Sequence, residues 1–268
     1  MKKRRGRLDL TSAGGIVIGV GLVLMGQVLE GGALRSVLQL TAAVIVFGGT
    51  LGAVLVSFSF DEVHFAARRL RNVFVNDEPD PERLVRAIVR LATIARQQGI
   101  IGLENEADKL SEPYLKKGLM LAVDGNSPQD VRELLEVEDS AISYREATAA
   151  QVYESAGGYA PTLGILGAVL GLIQVMEHLS DPSRLGAGIA VAFVATVYGV
   201  GSANLIFLPI AAKLRARARR AARHRELMME GIVGIQGGLS PRFIRAKLES
   251  FLDEGVQLPG PTAKGRAA

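Results

Sequence analysis

The sequence predicts an all-α integral membrane protein: four transmembrane helices, a large helical cytoplasmic loop between helices 2 and 3, and a cytoplasmic C-terminal helix. Three observations carry this prediction. Of 268 residues, 49% are hydrophobic; the charges are segregated along the chain; and no strand alternation of useful length interrupts the helical periodicity. Four windows contain no Asp, Glu, Lys or Arg, namely Leu10–Leu29, Ser36–Phe60, Ser155–Met176 and Leu185–Ala212. They are 20, 25, 22 and 28 residues long, and about 20 apolar residues suffice to cross the ~30 Å hydrocarbon layer as a helix.

Residues 1–9 form a basic N-terminus, expected to be cytoplasmic, with Lys2, Lys3, Arg4, Arg5 and Arg7 ahead of the first span. Spans 1 and 2 occupy 10–60, and Arg68, Arg69 and Arg71 follow them. Seven basic residues from Lys213 to Arg225 follow span 4, whereas the short connections at Glu30–Arg35 and Glu177–Arg184 hold one Arg each. Positive charge collects on the cytoplasmic side of short membrane connections, so both termini and the middle segment are expected there. The first span resembles a signal peptide in having a basic start, but it is long for one and a second span follows closely, which favours an anchor.

The middle segment, 61–154, carries 12 Lys and Arg against 18 Asp and Glu and reads as helical. In "DPERLVRAIVRLATIARQQG", Leu84, Ile88, Leu91 and Ile94 recur at spacings of three and four, an amphipathic stripe. Asp80 and Pro81 form a cap and first-turn pair and Gly99 a stop. Ser127 with Pro128 starts another helix in the same way, and Ser240 with Pro241 a third. Spans 3 and 4 occupy 155–212, a cytoplasmic helical segment 213–254, and 255–268 reads as a disordered tail.

The search for chemistry is largely negative. The chain has no Cys and three scattered histidines, no P-loop, no nucleophile elbow and no zinc-ligand spacing, so an enzyme is not indicated and no cofactor is expected. The "GVGLVLMG" run at 19–26 lies inside a span, lacks strand–turn–helix context and suits helix packing. The basic runs sit at membrane ends without interleaved aromatics, so nucleic acid needs no invoking. What stands out is small residues: Gly164, Gly167 and Gly171 on one face of span 3, and Ala192, Ala195, Thr196, Gly199, Ser202 and Ala203 along span 4. They fit close packing of these two spans on each other, or a smooth surface facing a further helix. For Thr196 the plainer role is a bond to a carbonyl one turn back. No span holds a carboxylate, so an ion passing through this protein must meet its titrating acid on a partner.

Several segments together resemble the MotA/PomA stator subunits of the bacterial flagellar motor: "YAPTLGILGAVLGLI", "AVAFVATVYGVGSANLIFLPIAAKL", "GLMLAVDGNSPQDVRELLE" and "RELMMEGIVGIQGGLSPRFIRAKLESFL". The resemblance runs from about Leu8 to Glu254. ExbB/TolQ energisers, proton-driven subunits of non-flagellar complexes, share the idea of spans 3 and 4 but typically have three spans and a different loop arrangement; they are the alternative. The resemblance implies a multi-pass protein of the bacterial inner membrane, with a ring of five subunits around the spans of a MotB/PomB-type partner. That partner supplies the transmembrane Asp and a peptidoglycan anchor. Pro161 and Pro209 match the family's two functional prolines, implying conformational coupling. Ala168, Ala195, Thr196 and Tyr198 fall at channel-wall positions. Sodium-type members place one Thr on span 3 and two on span 4; here Ala168 and the Ala195–Thr196 pair leave one hydroxyl of three, which implies proton transport. In "ARQQGIIGLENEADKL", Arg96 and Glu104 take the places that engage the rotor protein FliG, while Gln97 and Asn105 depart from the charged residues common there.

Overall fold

The computed structural model describes residues 7–76, 80–180 and 182–252. The Lys2–Arg5 run and the tail expected at 255–268 lie outside the described residues. Among the described residues four helices are long and apolar enough to cross a membrane: Leu10–Leu29, Leu34–Ser57, and parts of Pro128–Glu177 and Leu185–Gln236. The described residues divide into two compact units, 7–76 with Tyr144–Ala218, and 80–143 with 219–252. The division falls at Ser143 and Ala218 rather than at the charge boundaries near 154 and 212, because the charged turns flanking spans 3 and 4 pack with the spans.

In the membrane-spanning unit the first span starts at Asp9, whose carboxylate accepts from the Ser12 amide at 3.3 Å, and none of its residues is buried. The second span opens with a 3-10 turn, Leu34–Val37, breaks, and resumes as Leu40–Ala43; a π-turn, Val44–Gly48, then leads into Gly49–Ser57. A capping box begins the next helix, Phe60–Phe74: the Glu62 carboxylate accepts from the Ser59 amide at 2.8 Å and the Glu62 amide donates to the Ser59 hydroxyl at 3.4 Å. Val54, Ala66, Ala149, Val152 and Ala156 form one core cluster, seating this helix on the long helix Pro128–Glu177. Among the described residues the one strand pairing is a two-residue antiparallel one, Arg7 opposite Asn76 and Leu8 opposite Val75, too short for any alternation to announce it.

The second unit is built on the expected stripe. Leu84, Ile88 and Leu91 are buried with Leu103, Leu115, Leu119, Leu135, Leu227, Ile232, Ile244 and Leu248, and Ile94 packs at the edge. The caps form as read. Asp80 accepts from the Glu82 amide at 3.1 Å, Ser127 and Asp130 exchange side-chain-to-amide bonds, and Ser240 accepts from the Phe243 amide at 3.2 Å. Gly99 ends its helix at φ 76°, a conformation glycine adopts without a Cβ penalty. Arg225, nearly buried, is paired with Asp139 and donates to Ser143 at 3.0 Å.

Candidate functional site

The glycine face of span 3 is packed against span 4 of the same chain. A Cβ on Gly164 would lie 2.8 Å from the Ala195 carbonyl and 3.2 Å from the Gly199 Cα; on Gly171, 2.8 Å from the Gly188 carbonyl. From the other side, a Cβ on Gly199 would lie 2.5 Å from the Ala160 carbonyl and 3.1 Å from the Pro161 Cα. The backbones touch, as small residues permit where lipid supplies no hydrophobic drive between helices. Of the two readings left open for this stripe, internal packing is the one the structure contains. The opposite side of span 3 presents Ile165, Leu166, Val169, Leu172 and Ile173, all exposed.

The four wall positions differ in what they can reach. Ala168 is half-buried. Ala195 has no exposed surface and sits among Ala42, Val46 and Val194, so within the chain it is a packing contact and not a lining side chain. Thr196, half-buried, donates to the Ala192 carbonyl at 3.2 Å, the plainer role foreseen for it. Tyr198 does something periodicity could not reveal. Its hydroxyl donates to the Val37 carbonyl at 2.7 Å and accepts from the Gln39 amide at 3.3 Å, bridging the break at which the second span resumes. Its ring stacks on Phe47 with centroids 5.7 Å apart. Open backbone groups at membrane depth must find partners inside the protein, and this hydroxyl meets two.

Pro161 is not at a helix start; it lies inside the 50-residue helix Pro128–Glu177. Lacking an N–H, it cannot bond the Gly157 carbonyl one turn back. Gly157 is also where the other proline's neighbours pack, since a Cβ there would lie 2.7 Å from Leu208 Cδ2 and 3.4 Å from Phe207 Cβ. Pro209 is the second residue of Leu208–Gln236, directly after a π-turn, Ala203–Phe207. A π-turn absorbs the register that a proline disrupts. The two irregular points thus meet across one helix contact.

Arg96 and Glu104 flank a turn in the other unit. Arg96 is exposed in the last turn of Pro81–Gln98, the chain reverses through Gly99 and a 3-10 turn, Ile100–Leu103, and Glu104 opens the short helix Glu104–Ala107. Neighbouring charges are engaged: Glu106 with Arg90 and Lys109, and Asp108 with Lys116 at 2.9 Å. Among the described residues neither Arg96 nor Glu104 forms an ion pair. Leu103 is buried beneath the turn while Ile101, at its tip, is 75% exposed. Nothing in the local sequence marks Ile101 rather than Ile100 as the outward one of the pair.

Residues 106–227 match the MotA/TolQ/ExbB proton channel family and residues 13–99 the motility protein A N-terminal family. Motility protein A of Bacillus subtilis (strain 168) is 33% identical over 246 residues, 91% of each chain. The structure of C. jejuni MotAB aligns with a TM-score of 0.88 at 30% identity, covering 93% of this chain and 98% of that one. The flagellar MotAB stator complex from Bacillus subtilis aligns with a TM-score of 0.84 at 33% identity, covering 91% and 96%. On the fold, the four spans and the extent of these matches, the chain belongs to the MotA/PomA family.

Proposed function

We propose that the chain is a stator subunit of a bacterial flagellar motor, seated in the inner membrane with both termini cytoplasmic. Five copies ring the spans of a MotB/PomB-type partner, whose Asp binds the ion that the four uncharged spans of this chain cannot bind themselves. The ion is a proton. A hard cation stripped of water needs several oxygen ligands, whereas one hydroxyl, Thr196, stands where sodium-type members place three. Ala168 and Thr196 face the path, Ala195 sets helix spacing behind them, and Tyr198 fixes the start of span 2. Protonation of the partner's Asp shifts span 3 against span 4 at Pro161, and Pro209 passes the movement to the helix Leu208–Gln236.

Torque reaches the rotor protein FliG through the turn at 96–104. The observation that carries this reading is that Arg96 and Glu104 stand exposed and uncommitted while the charges around them are paired. Exposed ion pairs are worth about 0–1 kcal/mol each, so contacts made by Arg96 and Glu104 can form and release at every step, with Ile101 as an apolar bearing between them. The match of residues 13–99 to the motility protein A N-terminal family favours this motor over the rotor-free energisers of the wider family.

The test is to express the chain with its partner subunit in a motile host lacking its own stator subunits. Swimming should return, at a speed independent of sodium at fixed pH. Failure to swim refutes the stator assignment, and a sodium requirement refutes the proton.

A further inference from the structure

The geometry points to Asp9 as a positioning residue for the Pro209 hinge: a carboxylate clamp that fixes the helix beyond Pro209 to the cytoplasmic start of the first span. The inference rests on the stator reading for its consequence but not for the clamp itself.

Four observations bring three elements together around this residue. First, Asp9 caps the first span, accepting from the Ser12 amide at 3.3 Å and the Thr11 hydroxyl at 2.5 Å. Second, its carboxylate is paired with Lys213, which also donates to the Ser12 hydroxyl, and with Arg217 at 3.3 Å. Lys213 and Arg217 lie four and eight residues after Pro209, hence on one helix face. Third, the Asp9 amide donates to the Phe74 carbonyl at 2.7 Å, continuing the Arg7–Leu8 pairing with Val75–Asn76. Fourth, Arg217 donates to the Val75 carbonyl at 2.7 Å, closing the loop between the end of Phe60–Phe74 and the helix after Pro209.

These groups are not a loose surface pair. The side chains of Asp9, Lys213 and Arg217 are 15%, 26% and 11% exposed, and the bonds to Asp9 are charge-assisted. The hydrogen bonds to Lys213 hold the Asp9 carboxyl far below the usual carboxylate range, so it is ionised throughout the physiological range. Immediately above the clamp, a cavity of about 270 Å³ is lined by Thr11, Ser12, Asn204, Leu205, Pro209 and Lys213, among others. Pro209 thus lines this cavity, with the clamp one turn further along its helix. With that anchor, a bend at Pro209 is carried to the start of the first span; without it, the bend would only fray the helix.

The experiment compares Asp9→Asn, Asp9→Glu and Arg217→Gln with the unaltered chain, each expressed with the partner subunit and purified as the complex. Amide hydrogen exchange is read over 208–218 and at residues 75–76. Asp9→Asn keeps the cap but removes the charge, and exchange in both segments should rise about tenfold or more, the scale of a lost hydrogen bond to a charged group. Arg217→Gln should raise exchange to a lesser degree, Asp9→Glu should restore protection, and the π-turn in span 2 should be unaffected by all three. In the motile host, Asp9→Asn should cut swimming speed severalfold with the complex still assembled. Unchanged exchange in Asp9→Asn overturns the clamp whatever the motility. Raised exchange with normal swimming overturns its role in coupling, as does a motility loss that merely tracks loss of assembled complex. Should the unaltered chain fail to support swimming, the stator reading falls, and the exchange measurement still decides the clamp.

Discussion

Replacing Gly199 by Ala adds one methyl group at the point where span 4 lies against Pro161. The new Cβ would sit 2.5 Å from the Ala160 carbonyl oxygen, 3.0 Å from the Gly164 Cα and 3.1 Å from the Pro161 Cα. All three are backbone atoms of a continuous helix, so none can swing aside as a side-chain end could. Ordinary contact begins near 3.4 Å, so the helices must part by about 0.9 Å locally. Overpacking of this kind costs about 1–3 kcal/mol, less the roughly 1 kcal/mol by which Ala outranks Gly as a helix former. The control is Gly201→Ala on the same helix, where the new Cβ meets nothing within 4 Å and only the propensity gain applies. Thermal unfolding of the detergent-purified chain should therefore show Gly199→Ala destabilised and Gly201→Ala unchanged or stabilised. Equal melting temperatures for the two would refute the backbone contact on which the account of Pro161 depends.

Other perturbations test other parts. Tyr198→Phe removes the hydroxyl shared by Val37 and Gln39; two backbone groups lose their partner, at about 1–3 kcal/mol each if left dry, and melting should fall accordingly, whereas no change would mean that the break in span 2 is satisfied some other way. Glu230 lies between Lys247 and Arg132, the latter at 2.7 Å. Burial pushes its pKa up, but the two cations outweigh burial and hold it below the usual value. The stability it contributes is thus present above the unfolded-state pKa near 4.3 and lost as pH falls through the lower folded value. Glu230→Gln should flatten the acid limb of a pH–stability curve, and an unaltered limb would contradict the pairing. Ile101→Asp should leave melting unchanged, because Ile101 is exposed, while reducing swimming speed; a large loss of stability would show that Ile101 is core after all.

Much of this molecule can be read in its sequence because the signals are local. A charge-free window of membrane length has few alternatives, and Asp80–Pro81, Ser127–Pro128 and Ser240–Pro241 announce helix starts by chemistry confined to four residues. What escaped reading depends on partners distant in the chain. The glycines at 164, 167 and 171 declare a close approach but not to what, and the structure gives the answer as span 4. The charge boundary six residues before Pro161 hides the fact that its helix has already run from Pro128. Tyr198 and Asp9 have nothing unusual beside them in sequence; their bonds reach residues 161 and 208 positions away. The π-turns leave no compositional trace, though Pro209 suggests the second. Arg96 and Glu104 could be placed from family resemblance, but that their neighbours are paired and they are not emerges only in three dimensions.

The most direct test of the central claim is charge reversal at the exposed turn. Arg96→Glu and Glu104→Lys, singly and together, are expressed with the partner subunit in the motile host, and swimming is measured beside the amount of assembled complex in the membrane. Each single reversal should lower swimming several-fold at unchanged assembly, because both side chains are exposed and form no ion pair among the described residues. Normal swimming in the double variant, with the complex present at its usual level, would contradict it.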